Sequence, residues 1–367
     1  MARKKIRYAV VGLGHITQVA VLPAFAHATT NSELAALVSS DGTKLRELGK
    51  RYSVDNLYTY DQYDEMLKSG EIDAVYIGLP NHQHEEYTIR AARRGVHVLC
   101  EKPLALSERE CRRMIRAAEK NNVKLMTAYR LHFEQANLEA IEVVRSGQIG
   151  EPRLFNSLFC MDVREGDIRL RKETGGGTLW DIGVYCINAA RYLFRDEPIE
   201  VLAMTATNGQ RRFEETEEMT GAMLRFPGDR LATFICNFGV SFLARYQVVG
   251  TKGNLALDPA YEYALALKRT LTIDERESSK TYPKRDHFAP EILYFSECIQ
   301  KNRQPEPSGL EGLADVRIVS ALYRSAKSGK AVKIDPVAKT TRPTLKQEIR
   351  RPPVKKPKLV KAKAPSK

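Results

Sequence analysis

The sequence of 367 residues holds one tryptophan and six cysteines, and no two cysteines form a C-x-x-C pair. Thiols spaced as widely as Cys100, Cys111, Cys160, Cys186, Cys236 and Cys298 read as reduced structural residues, which excludes a disulfide framework. The seven histidines show no H-x-x-x-H or H-E-x-x-H spacing, and His82 with His84 is a poor ligand pair, so no metal is expected. No window approaches the roughly 18–20 apolar residues that a membrane span requires. Basic residues at the start precede a short apolar run, but this run leads straight into Gly12 and Gly14 without the small-residue cleavage site of an export signal. A cytoplasmic location is the expectation.

Charge of one sign is abundant, with 58 Lys and Arg against 45 Asp and Glu, a net +13. Its location decides what it means. Residues 336–367 contain eleven Lys or Arg and one acid, Glu348, so this tail holds +10 and the rest of the chain only +3. Six of the seventeen prolines lie there too, and its aliphatic residues are scattered. Such a segment buries too little apolar area to offset its ordering entropy and is expected to be disordered. It has no interleaved aromatics for base stacking. Counterion release could still draw it to nucleic acid or an acidic surface, but a solvated basic extension is the simpler expectation, without nucleic-acid or membrane partners.

The length fits two domains, and the strand and helix patterns change near residue 151. Before it, apolar runs without alternation (Ile6–Val11, Leu34–Val38, Asn56–Tyr60, Ile72–Leu79, His97–Cys100, Lys124–Tyr129) alternate with helical stretches. One of these helices opens at Ser107 with the Ser107–Glu110 spacing of a capping box. Buried strands separated by helices imply a parallel, doubly wound sheet. After residue 151, alternating segments (Arg153–Val163, Ile199–Thr207, Thr220–Arg225, Leu231–Val240, Tyr246–Gly250, Leu255–Leu257) imply a mostly antiparallel sheet. Helical stretches at Trp180–Leu193, Pro290–Lys301 and Leu310–Ser328 accompany it. The expected class is α/β: a dinucleotide-binding domain over 1–127, an α+β substrate and oligomerisation domain with a large open sheet over 128–335, and the tail over 336–367.

Gly12-Leu13-Gly14-His15-Ile16-Thr17 follows the first strand and opens a helix. Glycines there let the backbone turn tightly and approach a pyrophosphate held on free N–H groups, which nominates Gly12, Gly14, His15 and Ile16 for a dinucleotide. Thr17 stands where the third glycine of G-x-G-x-x-G belongs. At the end of the second strand, an acid would bond the ribose of NAD and repel a 2′-phosphate. Here Ser39 and Ser40 occupy that end and Lys44 follows one turn into the next helix, which suits NADP. The competing reading, with Asp41 on the ribose and Lys44 solvated, suits NAD.

Glu101-Lys102-Pro103 ends a sheet strand, where open α/β sheets place their ligands, so Lys102 can polarise a reacting oxygen. Gly175-Gly176-Gly177 leads into a helix on which Asp181 and Tyr185 are i,i+4 neighbours on one face. A carboxylate, a phenol and an ammonium could pass a proton while hydride moves to or from a cofactor. The plainer reading makes Asp181 a helix-start residue and Tyr185 a half-buried aromatic. His84, taken alone, reads as a structural helix-start residue.

These blocks together resemble the glucose–fructose oxidoreductase, inositol dehydrogenase and rhizopine-catabolism (Gfo/Idh/MocA) family, over about Lys5 to Ile334. Leu22-Pro23-Ala24-Phe25, Asp73–Asn81, Ala128–Phe133, Gly175–Leu193 and Gly309–Arg317 carry the likeness, which is nearest to the glucose–fructose oxidoreductase branch. The resemblance implies that Lys102 lies beside the nicotinamide and that Asp181 and Tyr185 match the family's Asp-x-x-x-His/Tyr pair. Tyrosine in that place is typical of the sugar oxidoreductases. A phenol needs a neighbouring cation to release its proton near neutral pH, and Lys102 would be that cation. The resemblance further puts Leu79, Pro80, Asn81 and His84 on the nicotinamide-ribose side, and Glu101, Arg130 and Arg169 on the cofactor. It implies a homodimer or homotetramer built through the open sheet. Ile168-Arg169 departs from the branch's Trp-Arg pair, and the chain shows neither the branch's export signal nor its cofactor-trapping arm, so permanent cofactor retention is not carried over and a releasable cofactor stands at least level with it. The expected activity is NADP-dependent hydride transfer on a sugar or polyol. An NAD-dependent sugar or inositol-type dehydrogenase is the alternative within the family, and a non-catalytic nucleotide-sensing regulator is the alternative outside enzymes.

Overall fold

The computed structural model describes residues 4–339 and 341–366. The chain forms two compact units. Unit 1 comprises residues 1–130, 286–312 and 350–364, and unit 2 comprises 131–285, 313–349 and 365–367.

Unit 1 is built on six strands: β1 (Ile6–Val11), β2 (Ser32–Val38), β3 (Asn56–Tyr58), β4 (Ala74–Ile77), β5 (His97–Glu101) and β6 (Leu125–Ala128). They pair in parallel in the order β3-β2-β1-β4-β5-β6. The register aligns Val11 with both Val38 and Ile77, and Ile77 with Cys100, so the carboxyl ends of four strands form one edge. Strand order reverses between β1 and β4, the switch point at which such sheets bind ligands. The four residues of β4 are all buried, as a strand covered on both faces requires. Ser107 caps the helix Glu108–Lys120 by accepting from Glu110 N. Glu110 Oε2, however, accepts from Leu106 N at 2.9 Å, one residue before the return contact of a capping box.

The helix Phe288–Gln300, expected in the second domain, packs in unit 1. Ser296 Oγ lies 2.8 Å from Tyr8 Oη and 2.7 Å from Ser32 Oγ, and Asn31 Nδ2 donates to Leu293 O at 2.9 Å. A helix with ten buried residues of thirteen needs cover on most of its surface, and β1 and β2 supply part of it.

Unit 2 holds β7 (Pro152–Asp162), β8 (Glu200–Ala206), β9 (Met219–Phe226), β10 (Arg230–Asn237), β11 (Gly239–Gly250), β12 (Gly253–Leu257), β13 (Leu267–Ile273), β14 (Arg276–Tyr282) and β15 (Val332–Lys333). They make one sheet in the order β14-β13-β12-β11-β7-β10-β9-β8-β15, in which β7 and β10 pair in parallel and every other pair is antiparallel. The hairpin β13–β14 escapes the sequence reading because its strands alternate poorly and its turn residues, Asp274 and Glu275, take positive φ without a glycine. One face of the sheet carries the core with the helix Val184–Phe194, through Ile187, Ala190 and Leu193. On that helix the fully buried Arg191 donates to Glu197 Oε2 and Asp315 Oδ1, each at 2.6 Å. Charges this deep persist only when paired, which explains why Asp315 sits in the block Gly309–Arg317.

The tail does not follow the expectation of disorder. Residues 336–349 belong to unit 2, and 350–364 belong to unit 1. Val337, Pro343 and Val360 are buried, and Arg342 Nη2 donates to Glu197 Oε1 at 2.9 Å. Composition argued correctly that the tail has little apolar area. What it could not register is that side chains of the folded units satisfy the tail's backbone. Lys367 and Thr340 lie outside the described residues. All six cysteines are free and buried, and no helix of the described residues is long and apolar enough to cross a membrane.

His97 Nδ1 accepts from Lys124 N at 2.9 Å, which requires the neutral ring. Burial first, and then the Lys124 charge, lower its pKa to about 4. The folded chain therefore binds fewer protons than the unfolded chain between about pH 6.5 and 4, and stability falls as pH drops through that window. His97→Asn keeps an acceptor and removes the titration. We expect urea midpoints measured at pH 7.5, 5.5 and 4.5 to fall less steeply for this variant, by about 2 kcal/mol at the acid end. Parallel slopes for the two proteins would refute the assignment.

Candidate active site

In unit 1 the glycine loop is shaped by a close backbone approach. Gly12 has φ +93°, and a Cβ there would lie 2.6 Å from Gly78 O at the end of β4. Gly12 N donates to Val38 O and Gly78 N to Val11 O, at 3.0 and 2.8 Å. A Cβ on Gly78 would in turn lie 2.7 Å from Thr17 Oγ1. Thr17 can thus replace the third glycine because the missing side chain has moved to the opposite strand, at Gly78. The helical stretch 15–27 that follows contains a π-helical turn at Thr17–Val21. The first backbone N–H to turn back on the loop is that of Gln18, to Gly14 O at 3.1 Å. Gly14 faces open space, with nothing within 4 Å of a Cβ. No acidic side chain lies in the first turn. An open glycine face before a helix start, with no carboxylate over it, fits a pyrophosphate at Gly12, Gly14, His15 and Ile16.

At the end of β2, Ser39 is buried and its Oγ accepts from Asp41 N at 3.2 Å, whereas Ser40 is exposed. Asp41 Oδ1 accepts from Thr43 N at 2.8 Å and Lys44 N at 3.1 Å, capping the helix Gly42–Tyr52. These bonds, the Lys44 N–H first, hold its carboxyl below the usual range.

His84 is fully buried, and its two ring nitrogens lie 2.8 Å from Pro103 O and 2.9 Å from Leu79 O. It ties the turn Leu79-Pro80-Asn81 to Lys102-Pro103, so its structural role and its place beside the family's turn are the same fact. Burial lowers its pKa against the pull of those carbonyls. Glu101 Oε1 accepts from Tyr76 Oη, and Oε2 from Lys102 N at 3.1 Å. Burial raises the Glu101 pKa, opposed by Lys102, Tyr76 and Arg130. Arg130 donates through Nη1 to His287 Nδ1 at 3.1 Å, so His287 is neutral, and burial and Arg130 both hold it far below the ordinary histidine range. Sequence reading missed Glu291, 1 % exposed on the helix Phe288–Gln300. Burial and then Glu101 push its carboxyl well above the usual range, against Arg130. Its one signal was an acid in an otherwise apolar helical run, Phe288-Ala-Pro-Glu-Ile-Leu-Tyr-Phe.

In unit 2 the glycine run serves packing. Gly176 N donates to Arg171 O and Gly177 N to Arg169 O, both at 2.9 Å, and a Cβ on Gly176 would lie 2.4 Å from Arg169 O. This holds Arg169 so that its Nε donates to Asp181 Oδ2 at 2.6 Å, while Nη1 donates to Asp167 Oδ1 at 3.2 Å. Burial works against the guanidinium, but Asp181 and Asp167 prevail and raise its pKa. Asp181 sits within a π-helical turn, Leu179–Gly183, in place of the plain helix expected, and the α-helix begins at Val184. Glu217, which sequence reading also missed, accepts from Thr178 N at 2.7 Å and Tyr323 Oη at 2.9 Å at the start of that turn. Tyr185 is half-buried, its ring 5.5 Å from Phe159 and 5.8 Å from Tyr261 between centroids. Lys102 thus lies in unit 1, and Arg169, Asp181 and Tyr185 in unit 2. Among the described residues no three His, Cys, Asp or Glu side chains cluster to hold a metal.

An unobstructed glycine loop at the switch point, with a lysine ending a neighbouring strand, is the equipment of a dinucleotide-dependent oxidoreductase. Comparison with known proteins agrees. The profile of the oxidoreductase family with an NAD-binding Rossmann fold matches residues 6–129, and that of the GFO/IDH/MocA C-terminal domain matches 137–256. An uncharacterised oxidoreductase of Rhizobium meliloti is 31% identical over 334 residues, 88% of this chain and 98% of the relative. The NADP(+) D-xylose 1-dehydrogenase of Haloarcula marismortui is 29% identical over 342 residues, 90% of this chain and 93% of the relative. The aldose-aldose oxidoreductase of Caulobacter crescentus, solved with glycerol, is 36% identical with a TM-score of 0.86, over 90% of this chain and 100% of that one. The chain belongs to the Gfo/Idh/MocA family and is an NAD(P)-dependent oxidoreductase.

Gly12→Ala sets a Cβ against Gly78 O and forces an L side chain into positive φ. It should cost about 1–3 kcal/mol of stability and weaken nucleotide binding at least about tenfold. Urea unfolding and quenching of intrinsic fluorescence by NADPH measure the two effects. Unaltered binding by a folded variant would mean that the nucleotide does not use this loop.

Proposed function

We propose that the protein is an NADP-dependent oxidoreductase that moves hydride between the nicotinamide and a carbon of an aldose-type sugar. The observation that carries the NADP reading is the state of Asp41. Its Oδ1 is committed to capping the helix Gly42–Tyr52, so the acid nearest the end of β2 is poorly placed to take a ribose hydroxyl. Ser39, Ser40 and Lys44 surround that cap and suit a 2′-phosphate. The Haloarcula relative, an NADP(+) D-xylose dehydrogenase, and the Caulobacter neighbour, an aldose-aldose oxidoreductase, support the same cofactor and substrate class.

A bound nicotinamide supplies hydride acceptance and donation at one ring carbon. The protein must then handle the substrate's proton. Tyr185 Oη takes the hydroxyl proton in oxidation and returns it in reduction, and Lys102 Nζ donates a hydrogen bond to the substrate oxygen. Asp181, whose Oδ2 accepts from Arg169 Nε, acts as a fixed carboxylate in place of a proton carrier. Leu79, Pro80, Asn81 and His84 shape the nicotinamide-ribose side. A regulator without catalysis would have no need of this set. The unit 2 sheet exposes Leu154, Leu202, Met204, Met223 and Ile235, which suits association with a second copy.

Purified protein should carry or bind NADPH, and a panel of aldoses should change its redox state. Lys102→Met and Tyr185→Phe should each lower kcat about a hundredfold or more while changing the NADPH Kd less than about threefold. Full turnover by both variants on the responding sugar would overturn the assignment of roles.

A further inference from the structure

The C-terminal segment crosses the nucleotide side of unit 1 in a way that no motif announces. It is anchored near Arg351, whose Nε donates to His27 O at 3.1 Å and whose carbonyl accepts from Asp286 N at 3.2 Å. Nine residues later Val360 is buried and paired in both directions with Gln18: its N–H donates to Gln18 Oε1 at 2.8 Å and its carbonyl accepts from Gln18 Nε2 at 2.9 Å. His27 and Gln18 belong to the helical stretch that the glycine loop opens, so the segment runs back along this stretch towards the loop. Gln18 has no exposed surface, and its Nε2 also donates to Leu13 O at 3.0 Å, inside the loop itself. A buried amide with its donor and acceptor both satisfied by these partners is costly to leave unpaired, which fixes the strap's register. Between the anchors, Arg51 Nη1 donates to Lys358 O at 2.7 Å. One residue beyond Val360, Lys361 Nζ lies 3.4 Å from Asp41 Oδ2 and 3.5 Å from Oδ1, against both oxygens of the carboxylate that caps the helix.

We propose that Lys361 is a specificity-determining residue for the cofactor, brought to the end of β2 by this strap. Lys361 pairs with the Asp41 carboxylate across both of its oxygens, so a ribose 2′-hydroxyl must displace a cation to bond there. A 2′-phosphate instead meets two ammonium groups, Lys361 from the strap and Lys44 from the helix, beside the Ser39 and Ser40 hydroxyls. One side chain thus penalises NAD and favours NADP. The inference rests on the NADP reading given above. It adds a recognition group from the far end of the chain, within the tail whose charge had no evident purpose.

Lys361 is largely exposed, at 58 %, so its replacement leaves the fold intact. The test titrates the full-length protein, freed of bound nucleotide, with NADPH and with NADH, following quenching of its own fluorescence. Lys361→Glu should weaken NADPH about tenfold or more, as expected for loss of a charge-assisted phosphate contact, and leave NADH binding unweakened or tighter, since the cation against Asp41 is gone. Lys363→Glu, the same charge change two residues on, is the control and should alter NADPH binding much less. Equal weakening by the two variants would reduce Lys361 to general electrostatics and overturn the proposal. So would an unchanged NADPH Kd in Lys361→Glu while the wild type still prefers NADPH, a result that leaves the cofactor assignment standing. A wild type that prefers NADH overturns the cofactor assignment and this proposal together.

Discussion

The nucleotide side of the protein depends on how closely β1 and β4 meet at their carboxyl ends. Gly12 at φ +93° lies so near Gly78 that neither position has room for a side chain. Two backbone hydrogen bonds, from Gly12 N to Val38 O and from Gly78 N to Val11 O, pin the three central strand ends together. With the loop held there, Gln18 in the helical stretch after it is set to bind both the loop and the tail. The turn after β4 then lies where His84 can join it to the turn carrying Lys102. A Cβ at either glycine would disturb all of these at once.

Unit 2 uses glycine for a different purpose. There the run Gly175–Gly177 brings backbone to backbone, so that the Arg169 guanidinium reaches Asp181. Similar motifs thus do different work: one leaves open space before a helix start, the other removes space around an ion pair. A π-helical turn follows each of them, at Thr17–Val21 and at Leu179–Gly183. Such turns are frequent at functional positions because an extra residue in the turn redirects side chains, and Asp181 lies within the second.

The tail shows how a polar segment becomes ordered without a core of its own. Its entropy is offset by hydrogen bonds to partners already fixed by folding: Gln18, Arg51 and His27 in unit 1 and Glu197 in unit 2. Glu197 already pairs with the buried Arg191, and Arg342 of the tail adds a second guanidinium to the same carboxylate. Composition counts apolar area, and so it overlooks order of this kind.

Local pattern was enough for the elements whose meaning is local. The six parallel strands, the glycine loop, the Glu-Lys-Pro turn and the alternation of the second sheet were legible to within a few residues. Each is set by side-chain period, turn chemistry or a residue type next to a strand end. The β13–β14 hairpin was hidden because Asp274 and Glu275 take a conformation usually signalled by glycine. Glu217 and Gln18 carried no signal and Glu291 only that of an acid in an apolar run, since their roles come from partners far away in the chain. The membership of the helix Phe288–Gln300 in unit 1 and the course of the tail are of the same kind. By itself the sequence determined the class of chemistry, through residue types at strand ends and helix starts. Only the tertiary structure decided which charges are buried, which carboxylates are already committed and where the chain's last basic residues go, because those depend on distance in space and on burial.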